Sequence, residues 1–201
     1  MPQRPRIGVI DYGAGNLRSV SNALRRLGVD HVISSDRTEL EQASKLILPG
    51  VGEARSAMNA LAGHDLLSWL RQLPVPFLGI CLGMQILYER STERETDCLG
   101  LLQGTITRFD TSGMVKVPHM GWNQVQLLDA HPLFDGITPA DFFYFVHSYY
   151  APVTHETIGR CEHDVPFAAA VALRNYYGVQ FHPEKSGRAG LRLLKNFVER
   201  C

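Results

Sequence analysis

The stretch PFLGICLGMQILY, residues 76–88, decides the reading of this chain. Its residues are apolar from Phe77 to Cys81, and Phe77, Leu78 and Ile80 read as a short buried strand; Met84, Leu87 and Tyr88 then recur at helical spacing. Cys81 stands where the period changes, framed by Gly79 and Gly83. That is the G-x-S-x-G pattern of a nucleophile elbow with cysteine in place of serine. Glycines flank such a turn because it crowds neighbouring backbones and strains the dihedrals, which a residue without Cβ tolerates. The turn is expected to lift the thiol out of the sheet and set it at a helix N-terminus, where N–H groups and the helix dipole favour the thiolate. The competing reading is an inert cysteine in a buried strand.

Working outward, strands and helices alternate over the first ~90 residues, the signature of a parallel sheet with covered faces. RIGVID (6–11) follows a basic N-terminal tip and reads as a first strand. DYGAGN (11–16) is a turn with Asn16 as a possible N-cap, and Leu17, Val20, Leu24 and Leu27 mark a helix stopped at Gly28. The GAG lacks the third glycine of a dinucleotide fingerprint, so a tight turn is the better reading. HVIS (31–34) is a second strand, and Asp36 with Glu39 forms a capping box for a short helix. KLIL (45–48) is a third strand running into Pro49-Gly50-Val51-Gly52, a loop suited to exposing backbone N–H groups at the carboxyl edge of the sheet. A glycine on each side of Val51 permits a peptide flip there. Residues 53–73 read as helical with a break at Gly63-His64.

Beyond residue 89 the pattern changes. STERETD (91–97) reads as a loop, and strands are predicted at 105–109, 115–117, 124–128, 142–149, 157–161, 166–173 and 177–181, with a closing helix over 188–201. FFYFVHSYY (142–150) lacks strict alternation, so both its faces are expected to be covered. His147-Ser148-Tyr149 at its end is either core or pocket lining, and Met120-Gly121-Trp122-Asn123 is equally ambiguous. The whole, residues 1–201, reads as one α/β domain: an open, mainly parallel sheet with helices on both faces and further antiparallel strands.

Composition excludes several classes. The chain has 201 residues, 45% hydrophobic, with 20 basic and 20 acidic side chains, so no charge excess favours nucleic acid or an anionic membrane. No apolar run reaches bilayer-spanning length and no signal-peptide pattern opens the chain, which leads to the expectation of a cytoplasmic protein. Cys81, Cys98, Cys161 and Cys201 are scattered without a CxxC pair, against a disulfide framework or a zinc site.

A cysteine nucleophile needs a base, oriented by a third group. Among eight histidines His182 stands out, following the apolar strand 179–181 and preceding Pro183-Glu184. A turn at Pro183 would fold the Glu184 carboxylate onto the imidazole Nδ1–H and fix its tautomer. A metal pair of His182 and Glu184 lacks further ligands at recognisable spacing, so neither metal nor cofactor is expected.

These segments carry a resemblance. Gly79-Ile80-Cys81-Leu82-Gly83-Met84-Gln85, Pro49-Gly50-Val51-Gly52 and Phe181-His182-Pro183-Glu184 resemble the nucleophile motif, oxyanion loop and His-Glu pair of the class I (triad) glutamine amidotransferases. The order matches and most of the chain is covered. The resemblance implies that family's flavodoxin-like fold. It implies a triad of Cys81, His182 and Glu184, an oxyanion hole at Val51, Gly52 and Leu82, and glutamine held by Gly52, Gln85, His147, Ser148 and Tyr149. DYGAGN at 11–16, PHMGWN at 118–123, YFVHSY at 144–149 and HPEKS at 182–186 resemble, more narrowly, the glutaminase subunits of a synthase in histidine biosynthesis. The length, with no fused synthase domain, resembles the two-subunit arrangement. This implies a heterodimer with a (β/α)8 cyclase subunit that receives the ammonia, with Trp122, Tyr144 and Lys185 at the interface. The alternatives are a free-standing γ-glutamyl hydrolase or another class I amidotransferase, and a non-catalytic binding subunit.

Overall fold

The computed structural model describes residues 6–13, 15–112 and 115–201; the basic tip and Ala14 of the first turn lie outside the described residues. The first half runs β1 (Ile7–Ile10), α1 (Leu17–Arg26), β2 (His31–Ser34), α2 (Arg37–Leu40), β3 (Lys45–Gly50), α3 (Ala54–Gly63), α4 (Leu67–Leu70), β4 (Phe77–Cys81) and α5 (Leu82–Gln85). Then follow β5 (Tyr88–Ser91), β6 (Thr96–Asp97), β7 (Leu102–Arg108), β8 (His119–Gln124), β9 (Gln126–Leu127), β10 (Phe142–His147), β11 (Tyr149–Tyr150), β12 (Thr157–Glu162), β13 (Pro166–Leu173), β14 (Tyr176–Val179) and α6 (Gly187–Arg200).

The main sheet has eight strands in the order β2-β1-β3-β4-β14-β13-β12-β9. The first four pairings in that order are parallel and the last three are antiparallel. Successive apolar side chains go to opposite faces, as the two-residue period of a strand requires. Ile47, Leu78 and Ile80 join one core with Val20 and Leu24 of α1 and Leu193 and Phe197 of α6. Leu46, Leu48 and Phe77 join the other with Ala57 and Leu61 of α3 and Leu70 of α4. Both faces are therefore covered, which is why the parallel strands read as continuous apolar runs. The carboxyl ends of β3, β4 and β14 come together, where open α/β sheets hold their ligands.

Several expectations are corrected. The helix after Cys81 is one turn long. Ile86, Leu87 and Tyr88 are buried, and the carbonyls of Ile86, Leu87, Tyr88 and Glu89 accept from amides of residues 98–102, so the chain leaves the helix and begins a second, four-stranded sheet. A single turn carries little dipole, so the helix-dipole argument for the thiolate falls away. The loop at 91–97 contains a hairpin, with Arg90 opposite Asp97 and Ser91 opposite Thr96. Residues 115–117 are irregular, and the strand begins only after Pro118, which has no N–H to donate to a ladder. The strand expected at 124–128 is divided between the end of β8 and β9.

The aromatic stretch is also different. It breaks at Ser148 into β10 and β11, and β10 does alternate: Phe143, Phe145 and His147 are buried, while Phe142 is 48% exposed and Tyr144 and Val146 are half-buried. β10 pairs antiparallel with β8 in a two-stranded ribbon, and Trp122 (56% exposed) lies opposite Tyr144, and Met120 (63%) opposite Val146. The ribbon packs one face on the core and presents an apolar outer face.

Candidate active site

Cys81 ends β4 with φ 56° and ψ −110°, a left-handed conformation that costs a non-glycine residue of order 1–3 kcal/mol. Crowding on both sides holds it there. A Cβ on Gly79 would lie 2.3 Å from the Gly83 carbonyl oxygen, and one on Gly83 would lie 2.0 Å from the Leu48 carbonyl oxygen. β3, β4 and the α5 turn thus touch backbone to backbone, and the thiol is turned toward a pocket of about 390 Å³.

Every residue expected to hold the oxyanion or the substrate lines that pocket: Val51, Gly52, Leu82, Gln85, His147, Ser148 and Tyr149, with Cys81 and His182. Val51 is 40% exposed and Gly52 has φ +94°, so the loop after β3 is open and turned at a glycine. Trp122, Tyr144 and Lys185 form a separate outer cluster: the Trp122 and Tyr144 rings are 5.9 Å apart, and Lys185 Nζ lies 5.8 Å from the Tyr144 ring.

His182 follows β14 and opens a single 3-10 turn, Pro183–Lys185. The turn folds Glu184 back so that Oε1 accepts from His182 Nδ1 at 2.8 Å, with both side chains buried. Nε2 is buried without a hydrogen-bond partner. Burial opposes charge on this imidazole, but the Cys81 sulfur and the Glu184 carboxylate outweigh it and raise its pKa above the ordinary histidine value. The turn is fastened to β10: the His182 amide donates to the Tyr144 carbonyl, and Ser186 Oγ donates to the His182 carbonyl while accepting from the Tyr144 amide.

The structure adds residues that sequence reading misses. Asn16 precedes α1 but makes no side-chain cap; its Nδ2 donates to Glu184 Oε1 at 3.2 Å. Glu93, from the supposed loop, lines the pocket, and its Oε2 accepts from the Ala54 amide at 2.9 Å. Gln180, fully buried at the end of β14, donates through Nε2 to Cys81 Sγ at 3.6 Å. The motif FHPE begins one residue after Gln180, so adjacency is the only available signal.

His147 forms part of the pocket wall, and His119 lies behind it. Burial, reinforced by neighbouring histidines, pushes His147 down to about 3 and His119 down to about 4. Burial also pushes the Cys98 thiol up to about 11 and the Cys161 thiol up to about 12, as expected for structural cysteines.

A buried cysteine on a strained elbow, a histidine–carboxylate pair beside it and a backbone loop opposite are the parts of an acyl-transfer site. The family model described as "Glutamine amidotransferase class-I" matches residues 8–201, and the chain belongs to that family. Solved structures agree on the fold: that of a glutamine amidotransferase superimposes with a TM-score of 0.74 at 20% identity, covering 96% of this chain and 97% of that one. The structure of PurLQS from Thermotoga maritima gives 0.72 at 20% identity, covering 97% of this chain and 98% of that one. Within the family, the chain is similar over nearly its whole length to imidazole glycerol phosphate synthase subunit HisH. It is 48% identical to that of Vibrio cholerae, covering 95% of this chain and 97% of the relative, and 48% identical to that of Bacteroides fragilis, covering 96% and 99%. Among the described residues, no helix is long and apolar enough to cross a membrane.

Proposed function

We propose that this chain is the glutaminase subunit of an imidazole glycerol phosphate synthase, a cytoplasmic enzyme of histidine biosynthesis, acting as one amidotransferase domain. The observation that carries the chemistry is Cys81 on its strained elbow beside the buried His182–Glu184 pair. Cys81 Sγ attacks the side-chain carboxamide carbon of glutamine. The resulting oxyanion takes backbone N–H groups from Leu82 and from the Val51-Gly52 loop, where each such donor is worth roughly 10²–10³ in rate. His182, raised so that it holds a proton, gives that proton to the departing ammonia and leaves a glutamyl thioester. Neutral His182 then takes a proton from water, whose oxygen attacks the thioester; glutamate leaves and Cys81 is restored. Glu184 holds Nδ1–H throughout. Gly52, Gln85, His147, Ser148 and Tyr149 surround the substrate, and the Glu93 carboxylate suits its α-ammonium group.

Ammonia released into water would be protonated and lost as a nucleophile. The apolar outer face of the β8–β10 ribbon, with Trp122, Tyr144 and Lys185, is where a (β/α)8 cyclase subunit docks and receives it. That subunit converts its nucleotide substrate to imidazole glycerol phosphate and an aminoimidazole carboxamide ribotide. A gate fits the loop geometry, because Gly52 leaves the peptide beside exposed Val51 free to reorient on docking.

The test is glutamate release by the purified chain alone, with the cyclase subunit, and with that subunit plus its nucleotide substrate. Activity only with the partner supports the coupled glutaminase. Full turnover alone identifies a free-standing hydrolase. Cys81→Ala should abolish hydrolysis and leave partner binding intact; retained hydrolysis refutes the assignment.

A further inference from the structure

The amide of Gln180 is tied into a chain of hydrogen bonds whose direction is forced from its far end. The Tyr149 carbonyl oxygen can only accept, and it sits 2.8 Å from His147 Nδ1 and 2.9 Å from the amide of Gln85. The atom of Gln85 at that carbonyl is therefore Nε2, a donor. The same Nε2 lies 2.9 Å from the amide of Gln180, so the atom of Gln180 facing it is the acceptor, Oε1. That leaves Gln180 Nε2, a donor, 3.6 Å from Cys81 Sγ. On the other side of the carbonyl the hydrogen-bond chain continues outward. His147 spends its Nδ1 proton on Tyr149, so its Nε2 accepts from His119 Nδ1 at 3.0 Å, and His119 Nε2 accepts from Asn123 Nδ2 at 3.3 Å. One backbone carbonyl thus fixes both amide orientations and both histidine tautomers.

We infer that Gln180 is a further catalytic residue, holding the Cys81 sulfur through Nε2 in the anionic form and on the line of attack. The inference rests on the glutaminase reading above but concerns an atom that reading leaves unused. Gln180 is fully buried and does not line the pocket, so it is not placed to touch substrate. The anion is favoured because a fixed N–H donor strengthens its hydrogen bond as the sulfur gains charge. Gln85 has both its amide hydrogens occupied by Tyr149 and Gln180, so it cannot donate elsewhere, and it keeps the Gln180 amide from turning over.

The experiment is the rate of alkylation of Cys81 by iodoacetamide at neutral pH, followed by mass spectrometry of the Cys81 peptide, in the full chain and in Gln180→Met. Folding is checked by circular dichroism and thermal melting. The expected result is alkylation slower by about tenfold or more, matching the loss of a hydrogen bond to a charged group. For glutamine hydrolysis with the partner present, kcat should fall by a similar factor while KM changes less than about threefold. A folded Gln180→Met chain alkylated at the wild-type rate overturns the inference. Gln180→Glu carries the test if the methionine variant does not fold. It keeps an acceptor for Gln85 but offers the sulfur a donor only while protonated, so its alkylation rate relative to wild type should fall steadily from pH 6 to pH 9; a constant ratio near one overturns the inference. Alkylation needs neither glutamine nor partner. Failure of the glutaminase reading would show as absence of turnover in the wild type, independently of the Gln180 result.

Discussion

Replacing His119 with glutamine should make the protein markedly less sensitive to acid. His119 is 5% exposed, its Nδ1 donates to His147 Nε2, and its Nε2 accepts from Asn123, so the ring is neutral in the folded chain and is held down to about 4 by burial and by the neighbouring His163. In the unfolded chain the same side chain titrates near 6.5. Between those two values the unfolded state binds a proton that the folded state does not, so stability falls as pH falls, and the loss ends once the folded ring also titrates. Integrated from pH 7 to pH 5, one such histidine costs about 2 kcal/mol, and the figure is nearly the same for any folded value of 4 or below. Glutamine preserves a donor toward His147 and an acceptor toward Asn123 but cannot titrate. The assay is urea unfolding of both chains at pH 7, 6 and 5. The wild type should lose about 2 kcal/mol more than His119→Gln between pH 7 and pH 5, with the slopes against urea unchanged. Equal losses, within about 0.5 kcal/mol, would refute the claim that His119 is buried as a neutral, hydrogen-bonded link.

Other perturbations read other parts of the structure. Asn16→Ala removes the second donor to Glu184 Oε1, whose partner oxygen Oε2 is already buried and unpaired; kcat for glutamine should fall about tenfold with little change in KM, and an unchanged kcat would show that His182 alone orients the carboxylate. Lys45→Met frees the carbonyls of Phe197 and Cys201 that its Nζ gathers at the end of α6, and should lower stability to urea by about 1–2 kcal/mol without affecting catalysis; a loss confined to activity would contradict this purely structural role. Gly83→Ala places a methyl group 2.0 Å from the Leu48 carbonyl oxygen and should destabilise the elbow by about 3 kcal/mol or more; a wild-type melting temperature would mean that β3 and α5 do not touch as described.

The fold and the strained elbow at Cys81 are legible in the sequence because they follow short-range rules. Gly79, Cys81 and Gly83 announce a strained turn within five residues, and Pro183 between His182 and Glu184 announces the fold-back that pairs them. The errors also arise locally. Leu87 and Tyr88 fit a helical period, but the burial of Ile86, Leu87 and Tyr88 against the second sheet overrides it. The residues that escape sequence reading act over distances no local pattern spans: Gln180 meets Cys81 across 99 residues and Asn16 meets Glu184 across 168. Asn16 reads as a helix cap, which is what an asparagine before a helix usually is, and only the tertiary fold turns it toward Glu184.

The β8–β10 ribbon shows why the Cys81 pocket and the apolar outer face depend on one another. On β8 the residues His119 and Asn123 face inward and bear on His147 at the pocket wall, while Met120 and Trp122 between them face outward. On β10 the same alternation buries Phe145 and His147 and turns out Tyr144 and Val146. The two-residue period makes these assignments inseparable, because a slip of one residue in either strand exchanges every inner side chain for an outer one. The imidazole links to Tyr149 and the Trp122–Tyr144 face would then be lost together. A partner that grips the outer face therefore holds the register of the ribbon. Through His119, His147 and the Tyr149 carbonyl, that register bears on the amides that end at the Cys81 sulfur.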